Sequence, residues 1–224
     1  MPVIIRIGGS VIASPTDPTL INRYVRLLLE LGNTSKIIVV VGGGKLAREF
    51  IEIASTLDLD EEAQDWLAIH ISRLYALLFN LKLGSRGLEN VPTSIDEAAE
   101  AATKGKIVIM GGLKPGMTTD TVAAYLVQRT GATLLVKATD QDGIYNKDPK
   151  KHGDAKKLET ISFHDLEQLF EENQHKAGIH QILDPSAVKI LQKTGVKTIV
   201  VNGYNPENIK LAIEGKTTGT MITE

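Results

Sequence analysis

Apolar and polar residues follow two spacings along this chain, and each spacing predicts a different kind of element. Short runs rich in β-branched residues, such as 3–7 and 37–41, are typical of strands that are covered on both faces of a sheet. Between these runs, apolar residues recur every three or four positions, which predicts amphipathic helices. The predicted strands are 3–7, 37–41, 107–110, 133–137, 198–201 and 218–222. The predicted helices are 17–31, 46–57, 61–83, 119–129, 162–171, 185–193 and 206–213, with one more opened by the capping box of Ser94 and Glu97.

This alternation of strands and helices predicts an α/β fold with a mainly parallel sheet and helices on both faces. In such sheets, ligands bind at the carboxyl ends of the strands. A glycine cluster follows three of the predicted strands, at 8–9, 42–44 and 111–112. Glycine leaves backbone N–H groups uncovered, and a helix that begins at such a turn favours an anion. Three such turns predict a site built around several phosphates.

Composition narrows the class of protein. The 224 residues suffice for one large domain or a closely merged pair, and the polar segment 140–157 is the best candidate for a seam between two halves. The net charge of -2 argues against nucleic acid as the main partner. The absence of cysteine excludes disulfides and thiolate chemistry. No apolar run is long enough to span a membrane and no signal segment precedes the first strand, so we expect a cytoplasmic protein without a membrane partner.

The second glycine cluster also fits another pattern. Residues 42–47 match the dinucleotide fingerprint G-x-G-x-x-A, and Asp65 lies about 20 residues further on. That acid should end the next strand but falls in a predicted helix, so a dinucleotide site is disfavoured. The histidines show no metal-binding spacing, and no metal ligands are predicted among them. They are His70, His152, His164, His175 and His180.

Two polar segments carry further candidate chemistry. At 113–120, Thr118 and Thr119 offer hydroxyls at a helix start, and Asp120 lies in the first turn. A plain N-cap is the better explanation of Thr118 alone, whereas the whole segment after the third glycine cluster favours a functional role. At 139–149, Tyr145 offers a ring to a base, and several acids could meet ribose hydroxyls or Mg²⁺. A solvated loop is the alternative for this second segment.

Together, the segments 7–10, 41–48, 110–120, 138–149 and 183–189 resemble the amino-acid kinase superfamily over nearly the whole chain, and within it most closely the archaeal type of UMP kinase. The resemblance implies a three-layer αβα sandwich that transfers the γ-phosphoryl of ATP, with Mg²⁺, to UMP (uridine monophosphate) in pyrimidine nucleotide biosynthesis. It also implies one amino-acid kinase domain, with UMP bound by roughly 1–137 and ATP by roughly 138–224. The expected assembly is a homo-oligomer, a hexamer built from dimers.

The resemblance assigns roles by position. Lys189 would neutralise charge on the transferring phosphoryl, while Asp120 and Asp184 would organise lysines or Mg²⁺, and Arg6 would support them. Gly8, Gly9 and Ser10 would bind ATP phosphates through backbone N–H groups. The other residues assigned to ATP are Gly44, Arg48, Thr139, Asp140, Tyr145 and Asp148. The residues assigned to UMP are Gly43, Asp65, Leu113, Lys114, Pro115, Gly116, Met117, Thr118 and Thr119.

Arg6 and Arg48 separate this chain from other superfamily members. Many members carry lysine where Arg6 stands, and a guanidinium binds phosphate as a fork rather than as a point charge. Isopentenyl phosphate kinase, the nearest rival activity, carries histidine where Arg48 stands, which favours UMP here. Kinases that act on carboxylates fit the threonine-rich segment less well. A non-catalytic nucleotide-binding protein of the same fold is disfavoured by the presence of Lys189, Asp120 and Asp184 together.

Overall fold

The computed structural model describes residues 1–149, 151–172, 182–216 and 219–224. Its strands are β1 (Val3–Ile7), β2 (Ile37–Val41), β3 (Val108–Met110), β4 (Leu134–Thr139), β5 (Thr160–Ser162), β6 (Lys197–Asn202) and β7 (Thr220–Thr223). Its α-helices are α1 (Gly9–Ile12), α2 (Pro18–Leu31), α3 (Gly44–Thr56), α4 (Glu61–Leu83), α5 (Ile95–Thr103), α6 (Thr119–Thr130), α7 (Phe163–Glu172), α8 (Pro185–Thr194) and α9 (Glu207–Ile213). A 3₁₀ turn, Gly84–Arg86, follows α4.

The strands form one sheet in the order β3-β2-β1-β4-β6-β7-β5. The first five strands in this order run parallel, and β7 pairs antiparallel with β6 and parallel with β5. The mainly parallel sheet expected from the alternation of elements is therefore confirmed. Parallel strands place their carboxyl ends at one edge, so the three glycine clusters meet there.

Two apolar cores lie on opposite faces of the sheet. Successive side chains of a strand point to opposite faces. Ile5 of β1 accordingly packs in the core that includes α2, α4 and α9, and Ile4 packs in the core that includes α6, α7 and α8. Both side chains are fully buried. Helices thus cover both faces, as a parallel sheet requires.

The sequence predicted the longer helices and strands but not the shortest elements or the details of helix capping. The short helix α1 and the edge strand β5 were not predicted, because four and three residues are too few for a periodic signal. Ser94 does cap α5 by accepting the N–H of Glu97, but the carboxylate of Glu97 accepts from the N–H of Thr93 instead of completing the box at Ser94. His175, His180 and the start of the last predicted strand, Thr218, lie outside the described residues. Within the described part of the chain, no helix has the length and apolarity needed to cross a bilayer.

Candidate functional site

The first two glycine turns pack directly against each other. A Cβ on Gly9 would lie 2.1 Å from the backbone nitrogen of Gly44, and one on Gly42 would lie 2.8 Å from that of Gly9. Gly44 also has φ +61, a conformation that side chains disfavour. The N–H of Gly8 donates to the carbonyl of Ala138 at 2.8 Å, so this group is not available to a phosphate. The expectation for Gly8 is therefore wrong in that detail, because its N–H extends the sheet pairing.

A cavity of about 590 Å³, here called the first cavity, lies between α3, α4, the segment 111–117 and the start of α6. We call this segment the acceptor loop. Asp65, Lys114 and Arg48 supply its charged lining, while Ile51 and Met117 contribute apolar surface. The remaining lining residues are Gly43, Ala47, Ala68, Ile69, Ser72, Gly112, Gly116, Thr118 and Thr119. Most residues that the sequence assigned to UMP are thus brought together, and Leu113 and Pro115 do not line the cavity.

Side chains of α4 hold the acceptor loop from one side. Asp65 accepts the N–H of Gly116 at 2.7 Å, and the hydroxyl of Ser72 accepts the N–H of Gly112 at 2.7 Å. Arg73 donates to the carbonyls of Gly112 and Leu113, both at 2.9 Å. The helical spacing of 65, 72 and 73 places all three side chains toward the loop.

A second cavity, of about 480 Å³, adjoins the first and shares Gly43, Arg48 and Thr119 with it. Its other lining residues are Arg6, Gly9, Ser10, Gly42, Gly44, Lys137, Thr139 and Asp140. Three of its lining side chains are cationic and only one is acidic. This cavity therefore suits an anionic ligand, and its uncovered glycine backbone suits phosphates.

Arg6, Asp120 and Lys137 form a buried ionic cluster at this cavity. Lys137 Nζ lies 2.5 Å from Asp120 Oδ2, and Arg6 Nε lies 2.8 Å from Asp120 Oδ1. The second contact is an ion pair without hydrogen-bond geometry, because neither of its two atoms has a hydrogen-bond partner. Arg6 also donates to the hydroxyl of Thr119 at 2.8 Å. The cluster carries two positive charges and one negative charge, so it presents a net positive charge to the cavity.

Burial and charge set the protonation of this cluster. Burial lowers the pKa of Lys137 to about 8, although the nearby Asp120 carboxylate opposes that shift. Burial alone would raise the pKa of Asp120, but the charges of Arg6 and Lys137 outweigh it and hold that pKa below its ordinary value. Asp120 is therefore ionised at neutral pH and orients two cations.

Asp184 joins the start of α8 to the start of α6. Its carboxylate caps α8 by accepting the N–H of Ala187 at 2.9 Å. It also accepts hydrogen bonds from the hydroxyls of Thr118 and Thr121. Thr118 is itself the N-cap of α6. Asp184 has no lysine within ion-pair distance among the described residues, although its charge acts to raise the pKa of Lys137. Asp120 pairs with Lys137 directly.

Among the residues assigned to the reaction or to ATP, Lys189, Tyr145 and Asp148 line neither cavity and do not belong to the ionic cluster or to the glycine turns. The others that line neither cavity are Gly8, Asp120 and Asp184. Lys189 is exposed on α8 and lines neither cavity. Tyr145 forms a β-bridge with Lys157, and Asp148 lies 3.9 Å from the ammonium of Lys151. Their predicted roles gain no support from this placement.

The carboxylates near the cavities are too few to coordinate Mg²⁺ alone, so a bound nucleotide would have to supply further oxygen ligands. Within the described residues, no three acidic or histidine side chains are grouped to hold a metal ion. Asp140 lines the second cavity, and it has no ion-pair partner in the part of the chain that the structure describes. Mg²⁺ is commonly held by one or two carboxylates together with substrate phosphates, so this site fits Mg²⁺ bound with a nucleotide.

Sequence reasoning missed Lys137 and Arg73. Lys137 is 2% exposed within the apolar strand β4, and such a lysine in an apolar run is itself a signal. Its Cα partner on β1 is Arg6, so the sheet register puts both cations on one face. Arg73 gave no signal, because its partners lie about 40 residues away along the chain.

Known proteins resemble this chain along its length. A model of the amino acid kinase family matches residues 1–202. The proteins named uridylate kinase from Methanoculleus marisnigri and Pyrococcus abyssi are each 40% identical over 223 residues, which are 99% of this chain and 95% and 99% of those proteins. The crystal structure of uridylate kinase from Archaeoglobus fulgidus matches with a TM-score of 0.88 and 34% identity, covering all of both chains. The crystal structure of UMP kinase from Ureaplasma parvum, at 22% identity and a TM-score of 0.83 over 100% of this chain and 99% of its own, matches in fold. The chain therefore belongs to the amino acid kinase family.

Proposed function

We propose that this protein transfers the γ-phosphoryl group of ATP to UMP and releases UDP and ADP. The observation that carries the proposal is the meeting of two cavities at Gly43, Arg48 and Thr119, beside the cluster of Arg6, Asp120 and Lys137. Two anionic substrates can approach each other there while fixed cations offset their repulsion. The full-length similarity to proteins named uridylate kinase supports UMP as the acceptor.

The first cavity binds UMP in this proposal. Asp65 has a carboxylate at the cavity wall that can accept hydrogen bonds from ribose hydroxyls, while it also holds Gly116. The phosphate lies toward Thr118, Thr119 and the N-terminus of α6, where the helix dipole favours an anion. Arg48 lines both cavities and therefore contacts the phosphates of both substrates.

The second cavity binds the phosphates of ATP. An oxygen of the UMP phosphate attacks the γ-phosphorus, and the bond to the bridging oxygen of ADP breaks. Such transfers depend on positioning and electrostatic stabilisation more than on covalent help. Arg6 and Lys137, both oriented by Asp120, supply positive charge where negative charge is redistributed. No general base is required, because the phosphate of UMP is already ionised at neutral pH.

Asp140 would hold Mg²⁺ together with phosphate oxygens of ATP. When bound, the ion neutralises charge on the phosphate chain. The N–H groups of Gly9 and Ser10, at the start of α1, remain as donors for the same phosphates. From the family resemblance we further propose that Thr139, Tyr145 and Asp148 contact adenosine and that the single domain divides near residue 138. We also propose a cytoplasmic location and a role in pyrimidine nucleotide biosynthesis.

We also propose that the protein assembles through an apolar face made by α3 and α4. Large side chains stay exposed there, with Ile53 at 53%, Leu57 at 65%, Leu74 at 57% and Leu81 at 70%. A small cavity lined by Leu46, Leu74, Tyr75, Leu77, Leu78 and Leu81 connects the two helices at this face. Contiguous exposed apolar surface of this kind marks an interaction site. A two-fold contact between identical faces would give the dimer from which the expected hexamer is built.

A coupled assay of ADP formation across five acceptors tests the main proposal. We expect UMP to be turned over with the highest kcat/KM among UMP, CMP, AMP, dTMP and isopentenyl phosphate, and only when ATP and Mg²⁺ are present. Equal or better turnover of another acceptor would replace UMP in the assignment. The apolar wall of Ile51, Ile69 and Met117 makes isopentenyl phosphate the most demanding competitor in this panel.

A further inference from the structure

The acceptor loop is fixed at its base by two neighbouring side chains of α4. Ser72 accepts the N–H of Gly112 and donates to the carbonyl of Ile69, both at 2.7 Å. Arg73 grips the next two carbonyls, those of Gly112 and Leu113, with Nε and Nη2 at 2.9 Å each. A planar guanidinium can make both bonds at once only if the two carbonyls keep one orientation. The conformation of the loop base is therefore set from the helix.

This grip also determines where two N–H groups point. In a trans peptide, the carbonyl and the following N–H point in opposite directions. Because Arg73 holds the carbonyls of Gly112 and Leu113, the N–H groups of Leu113 and Lys114 point away from the guanidinium. Neither N–H has a hydrogen-bond partner among the described residues. Two free donors thus lie in a loop whose residues Gly112 and Lys114 line the first cavity.

Among the described residues, no acidic side chain forms an ion pair with Arg73. Burial lowers the pKa of Arg73. A partly desolvated cation without a counter-ion is costly. An anionic ligand in the adjoining cavity would supply part of the missing negative charge.

We propose that Arg73 is a positioning residue for the phosphate acceptor, because by holding the carbonyl of Leu113 it orients the N–H group of Lys114 as a donor to an oxygen atom of the bound acceptor. The inference rests on the proposed function in taking the first cavity as the acceptor site. Arg73 itself does not line that cavity, so it acts through the loop backbone. Asp65, through Gly116, holds the other end of the same loop.

Steady-state kinetics of Arg73→Ala and Arg73→Lys test this role. Loss of two charge-assisted hydrogen bonds should raise the acceptor KM by about 10- to 100-fold, with the KM for ATP changed less than about twofold. Arg73→Lys keeps the charge but cannot hold both carbonyls as a fork, so it should show most of the same defect. Added guanidinium ion should restore part of the acceptor affinity of Arg73→Ala.

Arg86 provides a matched control. It also donates to a backbone carbonyl, that of Gly32 at 2.8 Å, and to the side chain of Asn33 at 3.0 Å, but it lies at the opposite edge of the sheet from the cavities. Arg86→Ala should lower stability without changing the acceptor KM. An equal rise of the acceptor KM in both alanine variants, or no rise in Arg73→Ala, would overturn the proposal.

Amide hydrogen exchange separates this proposal from the proposed function. In the substrate-free protein, the hydrogen-bonded N–H groups of Gly112, Gly116 and Met117 should exchange faster in Arg73→Ala than in wild type and Arg86→Ala, with Arg73→Lys used instead if the alanine variant does not fold. This readout requires no turnover. If the wild-type protein does not phosphorylate UMP, the proposed acceptor is refuted. The exchange experiment still tests whether Arg73 orders the loop. Unchanged exchange in the loop would refute the role of Arg73.

Discussion

The two walls of the proposed site are built by different physical means. The ATP wall rests on neighbouring strands, and sheet register places Arg6 of β1 beside Lys137 of β4 with Asp120 between their charges. The acceptor wall is a loop without regular structure, which donates hydrogen bonds to Asp65 and Ser72 of one helix and accepts them from Arg73 of the same helix. Charges in the first wall are buried and mutually dependent. Contacts in the second range from buried at Ser72 to exposed at Asp65 and are made by separate side chains, so substitutions in the two walls should differ in size and in kind.

The largest loss is expected from Asp120→Asn in the ATP wall. The variant keeps the side-chain shape but removes the carboxylate that pairs with the buried Lys137 and the half-buried Arg6. Breaking such a buried pair costs about 3–5 kcal/mol of stability, and misplaced charge should lower kcat by about 1,000-fold. Thermal unfolding and kcat measure both effects. Asp96→Asn, which removes an exposed ion pair with Arg129, should change neither by much. Near-normal kcat in Asp120→Asn would show that the cluster is structural only.

Lys137→Met should come next, with kcat lowered by about 100-fold. Methionine has similar length and is apolar, so the buried position should tolerate it, and the pair of Arg6 with Asp120 remains. The acceptor KM should change little, because the acceptor wall is untouched. Lys197→Met, at an exposed lysine of the adjacent strand β6, is the control. If Lys137→Met retains kcat but loses affinity for the acceptor, Lys137 belongs to the acceptor wall and our assignment of it to the ATP wall is wrong.

The protonation of Lys137 gives the same wall a pH signature. Burial lowers its pKa to about 8, so the side chain is cationic below that pH and becomes neutral as the pH rises through it. The kcat/KM for ATP, which reports the free enzyme, should therefore fall above about pH 8. Lys137→Arg keeps its charge throughout this range and should move the fall to higher pH. A fall near pH 8 that persists in Lys137→Arg would assign the titration to another group.

In the acceptor wall, Asp65→Asn should have a smaller and more selective effect. Asparagine can still accept the N–H of Gly116, but the bond loses its charge assistance. The acceptor KM should rise by about tenfold while the KM for ATP stays nearly constant. Glu62→Gln, one turn earlier on α4 and exposed, is the control. A rise confined to the KM for ATP would mean that the two cavities have been assigned in the wrong order.

The same contrast explains which parts of the fold and of the site could be predicted from the sequence alone. Glycine turns after apolar runs are local signals, so the strands and most helices followed from neighbouring residues. The assignment of residues 113–119 to UMP came from the family resemblance. Lys137 was taken as the end of a strand, because only the strand order β1-β4 and its register bring it beside Arg6. The carbonyl partners of Arg73 belong to a distant segment of the chain. Contacts of this kind depend on the packed tertiary structure, which periodicity does not encode.

The smallest effect is expected from Lys189→Ala, although the family resemblance assigned Lys189 to the transferring phosphoryl. In the structure the side chain is exposed on α8 and lines neither cavity, while Lys137 and Arg6 already carry the positive charge at the ATP wall. A solvated lysine outside the cavities should change kcat by less than about threefold, because its charge is screened. Lys193→Ala, an exposed lysine one turn later on α8, is the matched control. A loss in Lys189→Ala as large as that in Lys137→Met, with Lys193→Ala normal, would show that α8 moves toward the second cavity when ATP binds. The charge on the phosphoryl group would then be shared between a fixed cation on the sheet and a moving cation on the helix.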